Sequence, residues 1–166
     1  SWRMRRVAVT GLGAITPLGL DAPSTWEAAV AGRSVVDWIS AFDPAGFPVR
    51  IAAEVRGFDP SGLVDAKEAR RLDRNVLLAV GAAKEAWADA ALETYDPARV
   101  GVVLGSAIGG LIGITEQHRV LLDRGPDRVS PFFIPAVLVD TASGQIAIEL
   151  GLRGPNYAVV SACATG

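Results

Sequence analysis

Three short apolar runs, each closing on glycine or on very small side chains, constrain the fold more than any other feature of the chain. They are residues 5–10 (RRVAVT, before Gly11), residues 100–106 (VGVVLGS) and residues 157–161 (YAVVS, before Ala162 and Cys163). Short valine-rich runs bounded by turn formers read as buried strands. Such strands suit an α/β fold, in which helices cover a mostly parallel sheet and tight glycine turns join the layers.

Helical patterns fill the intervals. Ser24-Thr25-Trp26-Glu27 matches a capping box with Ser24 as N-cap and Glu27 at N3, and the helix then runs to Gly32 as its C′ residue. Leu72, Val76, Ala79, Val80, Ala83, Trp87 and Ala90 recur at helical spacing and predict a helix over 68–92. Residues 114–122 and 141–150 read as two further helices, the second closed by Gly151. Residues 33–62 read as an excursion of loops with one short strand, VRIAAEV, and GPDRVSPFFIP as a proline-bounded loop.

Composition narrows the function. With 166 residues the chain is long enough for one domain with a sizeable core. Half of the residues are hydrophobic and 18 are glycine; mean hydropathy is +0.31, which also suits a chain that buries surface against a partner. A net charge of −2 argues against a nucleic-acid binder. A single cysteine and a single histidine exclude an internal disulfide and make a Cys/His zinc site untenable. The stretch RRVAVTGLGAITPLGL imitates a signal peptide, but its glycines and Pro17 fit a strand and turn better. Residues 100–115 are uncharged but carry five glycines and fall short of the roughly 20 residues that span a bilayer. The expectation is a cytoplasmic protein that neither crosses a membrane nor binds nucleic acid.

Gly11-Leu12-Gly13 after a strand invites a dinucleotide-binding reading. That fingerprint needs a third glycine and an immediate helix, whereas Thr16 and Pro17 follow; a tight turn between two close backbones is preferred. The turn 105–110 (GSAIGG) lacks the lysine of a phosphate loop, and its small residues serve packing or ligand contact equally well. His118, on a polar helix, reads as a solvated side chain. The run Lys67-Glu68-Ala69-Arg70-Arg71 reads by itself as a solvated helix start; basic charge there opposes the dipole, which gives some weight to an anionic partner but does not establish one. Cys163 is either a buried small hydrophobe or a nucleophile. A strand ending in Ser-Ala-Cys-Ala-Thr-Gly resembles the elbow that exposes a nucleophile, and a helix starting just after it would aim its dipole at the sulfur.

Taken together, VTGLGAITPLG, STWEAAVAGRS, GSAIGGL, SPFFIP and GLRGPNYAVVSACATG resemble, in order and spacing, the elongating β-ketoacyl-acyl-carrier-protein synthases of fatty-acid and polyketide synthesis. The resemblance covers nearly all of the chain. It implies a thiolase-like fold, five αβαβα layers in the full protein, of which residues 4–166 would be the N-terminal half. It implies decarboxylative condensation of an acyl thioester with malonyl carrier protein through an acyl-Cys163 intermediate. Ala107, Ile108, Phe133 and Ala162 would line the acyl site, Phe133 from a neighbouring subunit, and the protein would be a homodimer. Lys67, Arg70, Arg71 and Arg128 would dock acidic acyl carrier protein. No cofactor or metal is implied, because substrates arrive on the carrier's phosphopantetheine arm. Asp127 stands where a basic residue is frequent, and Asp140 where asparagine is usual. The family's histidines, lysine and second oxyanion donor lie in a C-terminal half that these residues do not include, so the chain alone is expected to be inactive. A different class, a non-catalytic dimerising partner subunit that binds carrier protein, is disfavoured by the retention of Cys163.

Overall fold

The structure, a computed structural model, describes residues 5–165; Met4 and Gly166, the expected bounds of the half-protein, lie outside the described residues. The chain forms two compact units, one of residues up to Phe58 with Ala82–Glu93, the other of Asp59–Gly81 with residues from Thr94 onward.

The first unit contains helix α1 (Ala22–Val30) and an antiparallel pair, β1 (Val36–Trp38) with β2 (Ile51–Ala53), in the register Val36↔Ala53 to Trp38↔Ile51. It also takes the C-terminal part of the long helix α3 (Arg74–Ala90). Helix α1 starts earlier than its capping-box pattern predicts. Asp21 is the N-cap, in extended backbone, and its carboxylate accepts the Ser24 N–H at 2.7 Å. Aspartate caps as well as serine, and this start places Pro23 in the first turn, where no N–H is needed. The C-terminal end is as predicted. Gly32 has φ +65°, its N–H reaches the Ala29 carbonyl and the Arg33 N–H reaches that of Ala28, both at 3.0 Å, the paired closure that a left-handed glycine permits.

The predicted strand at residues 5–10 does not form. Among the described residues no neighbouring strand pairs with it, and Val7 and Val9 are 92% and 81% exposed. A β-rich run becomes a strand only where a partner meets its N–H and C=O groups and covers a face. The glycine turn that follows is a close backbone approach, as predicted. A Cβ on Gly13 would strike the Ala82 carbonyl of α3, and one on Gly11 the Ala86 carbonyl. Glu85 accepts the N–H groups of Ala14 (2.8 Å) and Ala22 (2.7 Å), and Asp89 that of Leu12 (2.9 Å). The backbone of α3 therefore lies directly against both glycines.

The second unit holds α2 (Ala66–Ala69), the start of α3, β3 (Val102–Gly105), α4 (Leu111–Arg124), α5 (Phe133–Val137), α6 (Thr141–Leu150) and β4 (Asn156–Val159). Strands β3 and β4 are parallel, Val102↔Asn156 through Gly105↔Val159, and α4 to α6 form their crossover. Helix α6 packs on both strands. Ser143 of α6, fully buried, donates to Asn156 Oδ1 at 2.8 Å, while Asn156 Nδ2 donates back to the Ser143 carbonyl at 2.9 Å. Val64, Val76, Leu77, Val80, Val137, Ala142, Ile146 and Leu152 are buried apolar residues of this unit. Helix α6 matches its predicted span and closes on Gly151 in the left-handed region, φ +67°.

Two expectations change. The helix predicted over 68–92 is broken, because Asp73 starts a new one. Its carbonyl accepts the Val76 N–H at 3.0 Å and its carboxylate the Asn75 N–H at 3.2 Å, as an N-cap does. The loop at GPDRVSPFFIP contains a 3-10 turn, Pro126–Arg128, and the helix α5. The sheet, moreover, is covered on one face only. Leu104 and Ala158 are half-buried on the covered face, whereas Val103, Tyr157 and Val159 are 68%, 61% and 46% exposed on the other.

Candidate active site

Parallel pairing puts the C-terminal ends of β3 and β4 at the same end of the sheet, where open α/β sheets place their ligands. The ladder runs one bond further, from the Ser106 N–H to the Val159 carbonyl at 3.1 Å. Beyond β3 lies the turn with Ala107 and Ile108, both exposed; beyond β4 lie Ala162 and Cys163, also exposed. Four of the predicted site residues therefore sit on the two loops that leave one sheet edge.

The turn after β3 is shaped by packing. Gly109 has φ +89°, and a Cβ there would meet the Val137 carbonyl of α5. That carbonyl accepts the Gly110 N–H at 3.0 Å, and Ser106 Oγ accepts the Gly109 N–H at 2.9 Å. The glycines thus serve close approach, which leaves Ala107 and Ile108 as the side chains turned out of the packing.

At the end of β4 the chain bends sharply. Ala162 has φ +50°, a left-handed conformation that costs a non-glycine residue about 1–3 kcal/mol and persists only where its surroundings hold it. The bend is closed by the Ala164 N–H on the Ser161 carbonyl at 3.1 Å and by the Ser161 N–H on Thr165 Oγ1 at 2.8 Å. Cys163 rides on the outside of this bend. The described residues after β4 include one 3-10 turn, Ala162–Thr165. Cys163 is exposed among the described residues of this chain.

The remaining predicted residues lie elsewhere. Arg70, Arg71 and Phe133 line a cavity of about 220 Å³ together with Asp73, Gln117 and Phe132. The Arg71 guanidinium lies 3.9 Å from the centre of the Phe132 ring and pairs with Glu68 at 3.2 Å. Lys67 on α2 and Arg128 in the 3-10 turn are exposed and do not line this cavity, nor do Cys163 and Ile108. His118 is exposed on α4, as predicted. Asp140 precedes α6 without a side-chain capping bond, and Asp127 is exposed beside Arg128.

Sequence reasoning missed Asp73. It is 9% exposed, and its carboxylate accepts the Gly113 N–H in the first turn of α4 at 2.7 Å. The N-cap of that helix, Gly110, has no side chain to do so. An aspartate directly before a helical pattern was the available signal. Among the described residues no group of His, Cys, Asp and Glu could hold a metal ion, and no helix is long and apolar enough to cross a membrane.

Comparison with known proteins bears on the same features. Residues 4–166 match the family described as "Beta-ketoacyl synthase, N-terminal domain". The 3-oxoacyl-[acyl-carrier-protein] synthase 2 of Coxiella burnetii (strain RSA 493 / Nine Mile phase I) is 46% identical over 164 residues, 98% of this chain and 40% of that protein. A beta-ketoacyl synthase from Burkholderia phymatum STM815 superposes with a TM-score of 0.79 at 29% identity, covering 98% of this chain and 41% of its own. The ishigamide ketosynthase/chain length factor does so with a TM-score of 0.80 at 28% identity, covering 92% and 39%. The chain thus spans about 40% of the length of these relatives. Its α/β arrangement is the N-terminal half of the thiolase-like fold they share. With the family matched from residue 4 to residue 166 and the fold shared across that span, the chain belongs to the beta-ketoacyl synthases, as their N-terminal domain.

Proposed function

We propose that the protein carrying this chain elongates acyl chains by decarboxylative condensation, and that Cys163 is its nucleophile. The observation that carries the reading is the exposed Cys163 on a left-handed bend at the end of a parallel strand, where a nucleophile can meet a substrate without steric cover. In the first step the Cys163 thiolate adds to the carbonyl of an acyl thioester, a new C–S bond forms, and the carrier's thiolate leaves. In the second, a malonyl thioester loses carbon dioxide, and the electron pair of the broken C–C bond attacks the acyl-Cys163 carbonyl. The Cys163 thiolate is expelled and a β-ketoacyl thioester results. In this reading the backbone N–H of Cys163 helps hold the oxyanion. Histidines, a lysine and the second oxyanion donor come from outside this chain, so the chain alone is inactive.

The partner in this reading is acyl carrier protein, named in the C. burnetii relative's own designation. Lys67, Arg70, Arg71 and Arg128 supply the positive charge for its acidic surface, and Asp127 weakens that patch. Ala107, Ile108 and Ala162 face the acyl chain, with Phe133 contributed by the second subunit of a cytoplasmic homodimer. The enzyme needs no cofactor of its own, because the substrate brings its phosphopantetheine arm.

The test is alkylation of the full-length protein with iodoacetamide or cerulenin, read by peptide mass, together with acyl transfer from carrier protein. Cys163 takes the label, and Cys163→Ala abolishes transfer. An unlabelled Cys163 in the folded protein overturns the nucleophile assignment. Acyl transfer that survives Cys163→Ala leaves a non-catalytic partner subunit as the better reading.

A further inference from the structure

We propose that Thr165 is the positioning residue of the Cys163 bend, and that Gly105 is glycine in order to seat it; this rests on the reading of Cys163 as nucleophile. Thr165 is half-buried, whereas Ala162, Cys163 and Ala164 are exposed. Its two side-chain groups reach two different segments, the stretch just after β4 and the end of β3. Oγ1 accepts the Ser161 N–H at 2.8 Å and lies 3.3 Å from Ser161 Oγ. The methyl Cγ2 occupies the place that a Cβ on Gly105 would take, with the Thr165 carbonyl oxygen 3.0 Å from that point.

The bend therefore has both ends tied. Ser161, the last residue before Ala162, donates its N–H to Thr165 Oγ1 and accepts the Ala164 N–H at its carbonyl. Between these bonds stands Ala162 at φ +50°, a conformation that needs support from its surroundings. The brace against Gly105 fixes this closed ring to the end of β3, and so fixes Cys163 relative to the turn that bears Ile108. Serine would supply the acceptor without the methyl, and valine the bulk without the acceptor. Threonine combines both at one position.

The experiment uses the full-length protein with Thr165→Val, Thr165→Ser and Gly105→Ala. It follows kcat and KM for acyl transfer, and the rate of iodoacetamide alkylation of Cys163 across pH. Thr165→Val is expected to lower kcat roughly tenfold or more while the carrier-protein KM stays within about twofold, the pattern of a displaced reacting group. Its alkylation profile shifts with it, Thr165→Ser recovers most of the loss, and Gly105→Ala reproduces the defect with the hydroxyl intact. If Thr165→Val does not fold, Thr165→Ala, which adds no bulk, carries the same expectations. A wild-type kcat and alkylation profile in the valine (or alanine) variant, or a serine variant as impaired as valine, overturns the proposal. If wild-type Cys163 is not acylated yet its alkylation responds to Thr165, the acyl-transfer reading falls and the positioning role stands.

Discussion

Asp73→Ala is the substitution whose cost can be worked most directly from the structure. The carboxylate is 9% exposed and accepts two N–H groups, from Gly113 at 2.7 Å and from Asn75 at 3.2 Å. A bond to a buried charged acceptor contributes about 1.5–3 kcal/mol net, and loss of an N-cap costs about 1 kcal/mol. Gly110 offers no side-chain replacement at the start of α4, so the two losses combine to about 2.5–4 kcal/mol of local stability. At about 1.4 kcal/mol per tenfold, that corresponds to roughly 60- to 700-fold faster amide exchange through local opening. Hydrogen–deuterium exchange of a peptide covering residues 111–117 reads this without requiring two-state unfolding of the whole protein. Asp73→Asn, which keeps one acceptor oxygen, should fall about midway in free energy. If residues 111–117 of Asp73→Ala exchange within about twofold of wild type, the carboxylate does not hold α4 and the reasoning fails.

Gly13→Ala forces a Cβ into the Ala82 carbonyl and should lower stability by about 1–3 kcal/mol, the usual cost of overpacking. Gly46→Ala, where nothing lies within 4 Å, should stay within about 0.5 kcal/mol, and equal urea midpoints for the two would refute the close approach. Hydrogen bonds from Ser40, first its hydroxyl and then its backbone N–H, and from the Ala41 N–H hold the Glu54 carboxyl at about 2, below its ordinary 4.5. A depressed folded value means that this carboxylate stabilises the β1–β2 hairpin above pH 4.5 and ceases to as pH falls through about 2. Glu54→Gln should flatten the acid titration of the hairpin across that window, with Trp38 fluorescence as the probe; an unchanged curve would remove Glu54 from the account.

What could be read from the residue order was local. The closures at Gly32 and Gly151 and the span of α6 each depend on neighbours a few residues away. The ordered motifs also placed Cys163 at the end of a strand, and the family match supports the likeness they carried. Even where local reading erred, as with Ser24 for Asp21, two adequate caps stood three residues apart and only the fold chose between them.

The rest was decided by which segments meet. The apolar run at residues 5–10 has strand composition but no partner among the described residues, and pairing, not composition, makes a strand. Asp73 finds Gly113 across 40 residues, and Glu85 finds Ala14 across 71; no short window contains both ends of such a bond. The left-handed Ala162 is of the same kind, since alanine carries no preference for that conformation and takes it here in a bend closed by Thr165, which packs against Gly105. Residue order alone therefore determined the C-terminal closures at Gly32 and Gly151, the span of α6 and the identity of the candidate nucleophile, because backbone sterics and hydrogen bonding act between near neighbours. The exposure of Cys163 and the bend that presents it came only with the tertiary structure, which satisfies buried polar groups across long separations and holds a strained residue in place.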